Sequence, residues 1–494
     1  MRFLLISSYD LGRQPQAAAE LAGLLSMRGH TLAIIDLSLT SHIQAQLVSA
    51  CHHLKLDPAA TDDPWLSLLQ GCDGIVVFVS MLTSATLTQQ LLENLNEIVG
   101  LRSRIAFTGL YASSLNDLLE NCDFGETYVH NGRQSNDLIG WLEGSEQPTL
   151  RDCNTKEESY RPKRDLLPRL ELYKTITIGS QTKITGSLDT TVGCRHRCRH
   201  CPIPSIFDGR IQVHSLDSIM DDIDNLVSAG AKHLSFGDPD FLNAPVHARK
   251  VIAELHHRHP TVTFDATVKV EHIIRHRDLW SEMADAGCLY VTSAIESFSP
   301  HVLRILDKGH TPSDPQRAAN ILDRQGIGLH PTFVPFTPWT TEQDIFDIFS
   351  FLIQNDLTSV VEPVQLGIRL LIPPNSLLLE LPEVTAVLQG FDATRHTYQW
   401  FNEDARLDRL ANLIGEITSR GAERGAAYSD TIDEVIEAAE DVLERKFIRP
   451  PVQVRTALSV VSSEPWFCCS EPTDNQRGAL VGLRPRSLGA PRSA

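Results

Sequence analysis

Apolar runs alternate with amphipathic stretches along most of this chain. In the first 145 residues the pattern predicts strands at 3–7, 32–36, 74–80, 104–108 and 126–130. Helices are expected at 16–27, 87–99, 115–121 and 135–142. A polar segment at 146–184, with Gln147-Pro148 and Arg161-Pro162, reads as a linker. A second series follows, with strands expected at 186–191, 233–237, 263–268, 289–295, 328–334 and 365–372. Helices at 216–229, 244–257, 277–286, 300–307 and 313–325 separate them, Ser313 standing as an N-cap. Residues 376–455 hold helical runs at 404–420 and 430–445, and 456–494 reads as a flexible tail rich in Pro, Ser, Gly and Arg.

Strands that alternate with helices predict α/β architecture with parallel sheets. Five strands in the first series suit the flavodoxin-like, Rossmann-type sheet, which binds ligands at the carboxyl ends of its strands. The length of 494 residues exceeds one ordinary core. The domains are therefore expected at 1–145, 185–375 and 376–455, with the linker and the tail between and after them. A net charge of −18 repels polyanions, so no nucleic-acid partner is expected. No apolar run approaches the ~18–20 residues of a membrane helix, and the apolar start reads as a strand instead of a signal peptide. A cytoplasmic protein is expected. Cys51, Cys72, Cys122, Cys153 and Cys288 are scattered singly and suit small buried side chains better than a disulfide framework.

The remaining cysteines carry chemistry. Cys194, Cys198 and Cys201 stand at C-x3-C-x2-C after the extended stretch 187–193 and before Pro202 and Pro204. One tight loop thus supplies three thiolates. A [4Fe–4S] cluster takes four ligands, usually cysteines, so three leave one iron open to a small molecule. Zinc is the alternative; its sites close with paired C-x2-C units or added histidine. His196 and His200 are the nearby nitrogens, but they share the short loop, where packing beside the thiolates is difficult. Arg195, Arg197 and Arg199 either balance an anionic cluster or form a solvated face.

Three later segments extend the pattern: Phe236-Gly237-Asp238-Pro239-Asp240-Phe241, Ala294-Ile295-Glu296-Ser297 and Lys308-Gly309-His310-Thr311. With the cysteine loop they resemble the radical S-adenosylmethionine (SAM) superfamily from about residue 185 to 375, with Ala294 replacing the usual glycine. The resemblance implies a partial (βα)6 TIM-like barrel whose site lies at the carboxyl ends of the strands. It implies a [4Fe–4S] cluster on Cys194, Cys198 and Cys201. It assigns the SAM amino group to the segment Phe236, Gly237 and Asp238, and the ribose or methionine end to Ser293 and Glu296. An ordinary turn is the other reading of 238–240. Asp265, Lys269 and Glu271 flank the third strand, at the barrel mouth or in structural salt bridges. The implied activity is reductive cleavage of SAM to modify a small-molecule substrate, fed by an electron donor such as a flavodoxin or ferredoxin.

The first domain is similar to cobalamin-binding domains that precede some radical SAM cores. The Asp-x-His-x-x-Gly ligand motif is missing, since the chain reads Ser7-Ser8-Tyr9-Asp10-Leu11-Gly12 after its first strand. Ser80-Met81-Leu82 and Thr108-Gly109 are similar to other cobalamin contacts. Cobalamin binding and a domain kept for packing both remain open. In the tail, Trp466-Phe467-Cys468-Cys469-Ser470-Glu471-Pro472 resembles the end of the CUAEP/CCAEP-tail radical SAM proteins. Cys468 and Cys469 are catalytic candidates, either holding a thiophilic element such as trivalent arsenic or acting as a redox pair. Two further readings stand: a cobalamin-dependent radical SAM methyltransferase, and a non-enzymatic Fe–S redox sensor or binding protein.

Overall fold

The computed structural model describes residues 1–58, 63–96, 103–120, 122, 125–132, 136–144, 161–393 and 395–463. Two compact units emerge, one built on Met1–Tyr173 and the other on Lys174–Ala393 and Thr397–Trp466.

The first unit is a five-stranded parallel sheet of β1 (Arg2–Ser7), β2 (Thr31–Asp36), β3 (Gly74–Phe78), β4 (Arg104–Gly109) and β5 (Thr127–Asn131), in the order β2-β1-β3-β4-β5. Leu5 pairs with Ile34 on one side and Val76 on the other, so central strands are apolar on both faces. Helix Gln16–Met27 lays Ala18, Ala22 and Leu25 on this sheet. Helix Leu82–Asn96 starts earlier than the expected residue 87. Thr83, Ser84 and Thr88 are buried there, and Thr88 Oγ1 donates to the Ser84 carbonyl at 2.6 Å. Such hydroxyls hide a helical stripe from a hydropathy reading because their own backbone satisfies them. Residues 161–173 of the expected linker join this unit. Lys163 N donates to Ala19 O at 2.8 Å, and Leu167 and Leu170 are buried.

The second unit continues with β6 (Thr175–Ile178) and β7 (Gln181–Leu188), an antiparallel hairpin that begins in the expected linker and ends in the first strand expected of the core. The short strands β8 (Thr191–Gly193) and β9 (Ile211–Val213) pair antiparallel. Then come β10 (His233–Phe236), β11 (Thr263–Thr267), β12 (Cys288–Glu296) and β13 (Gly328–Phe333). A separate hairpin joins β14 (Leu388–Asp392) to β15 (Thr397–Trp400), and β16 (Val460–Ser462) comes last. The main sheet has the order β13-β12-β11-β10-β7-β6-β16, with β7 and β10 to β13 parallel. It is a nearly closed, barrel-like sheet with helices between the strands.

The expected strand at 365–372 is a correction. Residues Pro363–Gly367 form a 3-10 helix, and the contact with the neighbouring edge shrinks to one bridge between Phe336 and Arg369. Pro335 and Pro338 remove backbone donors around that bridge, so no ladder can extend. After it, Ala405–Arg424 and Tyr428–Leu443 pack as two amphipathic helices. No helix among the described residues is long and apolar enough to cross a membrane.

Candidate active site at the carboxyl end of the barrel

The cysteine loop leaves β7 and is pinned at both ends. The antiparallel pair β8–β9 brackets it, and Gly193, at φ 85°, turns the chain where a Cβ would strike the Arg210 carbonyl. Cys194 and Cys198 are buried and Cys201 is half-buried; all described cysteines are free thiols. Burial raises the Cys194 thiol, and it pushes Cys201 up to about 12, with Cys198 and Cys194 adding to the cost. Such thiols ionise only when a cation compensates them. The loop histidines face carboxylates, His196 toward Asp240 and Glu271 and His200 toward Glu296, so the loop offers three thiolates and no fourth ligand. That donor set is one short of a closed zinc site and suits a cluster with one open iron.

The carboxylates around the loop have distinct duties. Asp238 is fully buried, accepting from Thr190 N at 2.9 Å, Thr190 Oγ1 at 2.8 Å and Thr191 Oγ1 at 2.6 Å. Burial and neighbouring Asp189 raise its carboxyl to about 6 against these hydrogen bonds. Asp238 thus anchors the strand that launches the cysteine loop. Asp240 is also fully buried and lies 3.2 Å from His196 Nε2 and 2.7 Å from His272 Nδ1. Burial would raise its carboxyl, but the two imidazoles outweigh that and hold it at about 2. Asn243 Nδ2 donates to Cys194 Sγ at 3.5 Å, and Arg195 N donates to Asn243 Oδ1 at 3.2 Å.

Glu296 closes β12 at φ 67°, an uncommon conformation for a residue with a side chain. Its Oε1 meets Lys308 Nζ at 3.1 Å and His200 Nε2 at 3.0 Å, both partners being well buried. Burial would raise the carboxyl; Lys308 first, then His200, hold it at about 2. The loop histidines are therefore tied to rim carboxylates and are not thiol-side ligands. Of the loop arginines, Arg199 donates to the Arg304 and Ile305 carbonyls at 3.1 and 3.0 Å, capping helix Pro300–Leu306. Arg197 pairs with Asp208 on the surface.

Around Glu296, His310 is buried and neither of its ring nitrogens has a partner; His200 Nδ1 is likewise unpaired. Burial and Lys308 lower His310 to about 4, so it is neutral near pH 7. Buried polar atoms without partners beside an ion pair are what a polar ligand would satisfy. His310 escaped the sequence reading as a site residue, although its Lys308-Gly309-His310-Thr311 segment was visible.

Two predicted residues turn their side chains elsewhere. The Phe236 side chain is core, stacked on Phe241 at 4.7 Å and edge-on to Phe264 at 5.5 Å, which leaves only the backbone of Phe236 and Gly237 for a ligand. Ser293 alternates with Val291 and Ile295, on the face of β12 opposite Tyr290, Thr292 and Ala294. Tyr290 stacks on His233 and His330, which marks its own face as the barrel interior. Asp265 is bound by His233 Nε2 at 2.9 Å and by Ser235, a structural pair in the barrel floor. Lys269 lies 3.6 Å from Glu271. Cys468 and Cys469 fall outside the described residues.

Comparison with known proteins agrees with this architecture. Residues 188–352 match the model of the Radical SAM superfamily. An uncharacterized methyltransferase of Pyrococcus horikoshii is 23% identical over 234 residues, covering 47% of each chain. The chain thus spans about half the length of that curated relative. Among solved structures, the cobalamin-dependent SAM radical enzyme OxsB, with aqua-cobalamin and SAM bound, is similar at a TM-score of 0.63 and 14% identity, over 85% of this chain and 66% of that one. The radical SAM methyltransferase TsrM from Kitasatospora setae, with tryptophan and a SAM analogue bound, gives a TM-score of 0.60 at 16% identity over 98% of both chains. These likenesses show the fold.

Proposed function

We propose that the protein, whose residues 188–352 form a radical SAM domain, is a SAM-cleaving enzyme that uses cobalamin to transfer a methyl group to a small molecule. The observation that carries this reading is the thiol loop 194–201, held at the carboxyl end of parallel strands within that domain. Cys194, Cys198 and Cys201 would hold a [4Fe–4S] cluster, which when bound would supply one electron and an open iron to SAM. The chain's residues supply the rest. Asp238 and Asn243 hold the loop in place. The Glu296–Lys308–His200 group and the unpaired nitrogens of His310 offer polar contacts to SAM. The backbone of Phe236 and Gly237 takes the amino end. An external flavodoxin or ferredoxin is the proposed electron donor, and a reducing cytoplasm suits the free thiols.

The cobalamin part rests on the β2-β1-β3-β4-β5 sheet of the first unit and on the cobalamin bound to OxsB and TsrM relatives of this fold. Gly109, at φ 130°, brings β4 so near Val79 O that a Cβ would collide there, leaving a close-packed, side-chain-free edge at the carboxyl ends. The chain has no histidine in the Ser7–Gly12 turn, so cobalt is expected to bind without a protein nitrogen from that turn.

The test is anaerobic cluster reconstitution, reduction with SAM, and chromatography of products, with and without hydroxocobalamin. 5′-Deoxyadenosine from the reductive cleavage, together with S-adenosylhomocysteine that forms only when cobalamin is present to take the methyl group, is the expected result. 5′-Deoxyadenosine alone would point to hydrogen abstraction without methyl transfer, and no product from a protein with full iron would overturn SAM cleavage. Hydroxocobalamin is expected to co-elute with the full chain; a colourless protein would remove the cobalamin part. The substrate proposal is a small molecule, with trivalent arsenic held by Cys468 and Cys469 as its thiophilic form. A Cys468→Ser/Cys469→Ser chain is then expected to lose arsenite binding and keep its iron. Undiminished arsenite binding would rule the tail out as the holder.

A further inference from the structure

Among the described residues, His196, Asp240 and His272 bring one ligand atom each to within 4.8 Å of the others. They come from three places: the cysteine loop, the turn after β10, and helix Val270–Arg275. Asp240 is fully buried, His272 is 5% exposed, and the His196 side chain is 16% exposed. His196 Nε2, Asp240 Oδ2 and His272 Nδ1 are all buried from solvent, and none has a partner of hydrogen-bonding geometry. The contacts of 3.2 and 2.7 Å are short ion-pair distances, but they do not meet hydrogen-bond geometry at the oxygen. Three buried donor atoms left in this state need another partner.

The surrounding groups favour a cation. His196 Nδ1 lies 3.2 Å from Glu271 Oε1, so its other ring nitrogen, Nε2, is the one turned toward Asp240. Asp240 Oδ1 accepts from Leu242 N at 3.0 Å, leaving Oδ2 as the free oxygen. A carboxylate behind a ligating histidine is the usual outer partner of a metal site. We infer that His196, Asp240 and His272 form a mononuclear site for a divalent cation of the zinc, iron(II) or cobalt(II) class, separate from the cysteine cluster. Two imidazoles and one carboxylate select these ions over calcium or magnesium. Because His196 stands between Cys194 and Cys198, the ion fastens the cysteine loop to the turn after β10 and to helix Val270–Arg275. The site does not depend on the SAM chemistry proposed above.

Zinc is the probe. The full chain carrying Cys194→Ala, Cys198→Ala and Cys201→Ala cannot place zinc on the loop thiols. It is expected to bind about one equivalent, read by elemental analysis and by competition with a chromogenic chelator. Adding Asp240→Ala or His272→Ala should weaken binding by at least about tenfold, and adding His276→Ala, whose ring meets His272 edge-on, should not. The reconstituted unmodified chain gives a second reading that does not depend on the folding of the cysteine-free variant: about one zinc in addition to its cluster irons. Zinc below a tenth of an equivalent in the reconstituted chain overturns the site. So does binding that Asp240→Ala and His272→Ala leave unchanged. Iron and sulfide counted on the same samples report the cluster separately, so failure of the zinc site and failure of the cluster are distinguished.

Discussion

Cys198→Ala is expected to yield a folded chain that cannot retain its cluster and forms no detectable product from SAM. Two thiolates would remain where the geometry provides three, so a second iron would lose its protein ligand. The stability cost itself should be modest, of the order of 1 kcal/mol, because the side chain is small. Cys288→Ala is the control. Cys288 is similarly buried, on β12, and its thiol is driven far up by burial and Asp265, as suits an inert core residue. Iron and sulfide analysis after reconstitution, followed by product chromatography, separates the two variants. Full iron in Cys198→Ala would remove this cysteine from the ligand set, and zinc in place of iron in the unmodified protein would restore the competing metal.

Lys308→Met is expected to destabilise the second unit by about 3–5 kcal/mol, since it strips the cation from a buried carboxylate. Lys308 and Glu296 side chains are 3% and 8% exposed, and among the described residues His200 is the ion-pair partner that remains to face the charge. The pH dependence identifies the cause. In the unmodified protein Glu296 is held at about 2, below its ordinary value, so its contribution is complete above ~4.3 and is lost as the pH falls through about 2. In the variant the orphaned carboxyl rises and takes up a proton more readily. The deficit is therefore largest near neutrality and narrows on acidification. Glu296→Gln in the Lys308→Met background should recover part of the loss at pH 7. Denaturant unfolding across this range is the measurement, and a deficit independent of pH would assign the effect to packing alone.

Much of this architecture could be read from local pattern. The strands of both series fall close to their expected positions, as with Arg104–Gly109 and Gly328–Phe333, because each is a short apolar run bounded by turn residues. The exception at 365–372 had the same apolar pattern. Its failure lay in its neighbour, where Pro335 and Pro338 deny it a partner edge. Strand alternation alone separates Ser293 from Thr292 and Ala294, but the face that is interior is known only from the stacking of Tyr290 with His233 and His330.

By itself the sequence determined the three-thiol donor set, since ligands within one eight-residue loop stay together in any fold. It also determined the βα alternation and the acidic character of the chain. Only the tertiary structure decided what the carboxylates do. Asp238 became an anchor for Thr190 and Thr191, Glu296 the partner of Lys308 and His200, and Asp240 the meeting point of His196 and His272. These partners lie 12 to 96 residues apart along the chain in the Glu296 group. A buried charge takes its role from whichever counter-charge the packing brings within a few ångströms, and no local pattern encodes that distance.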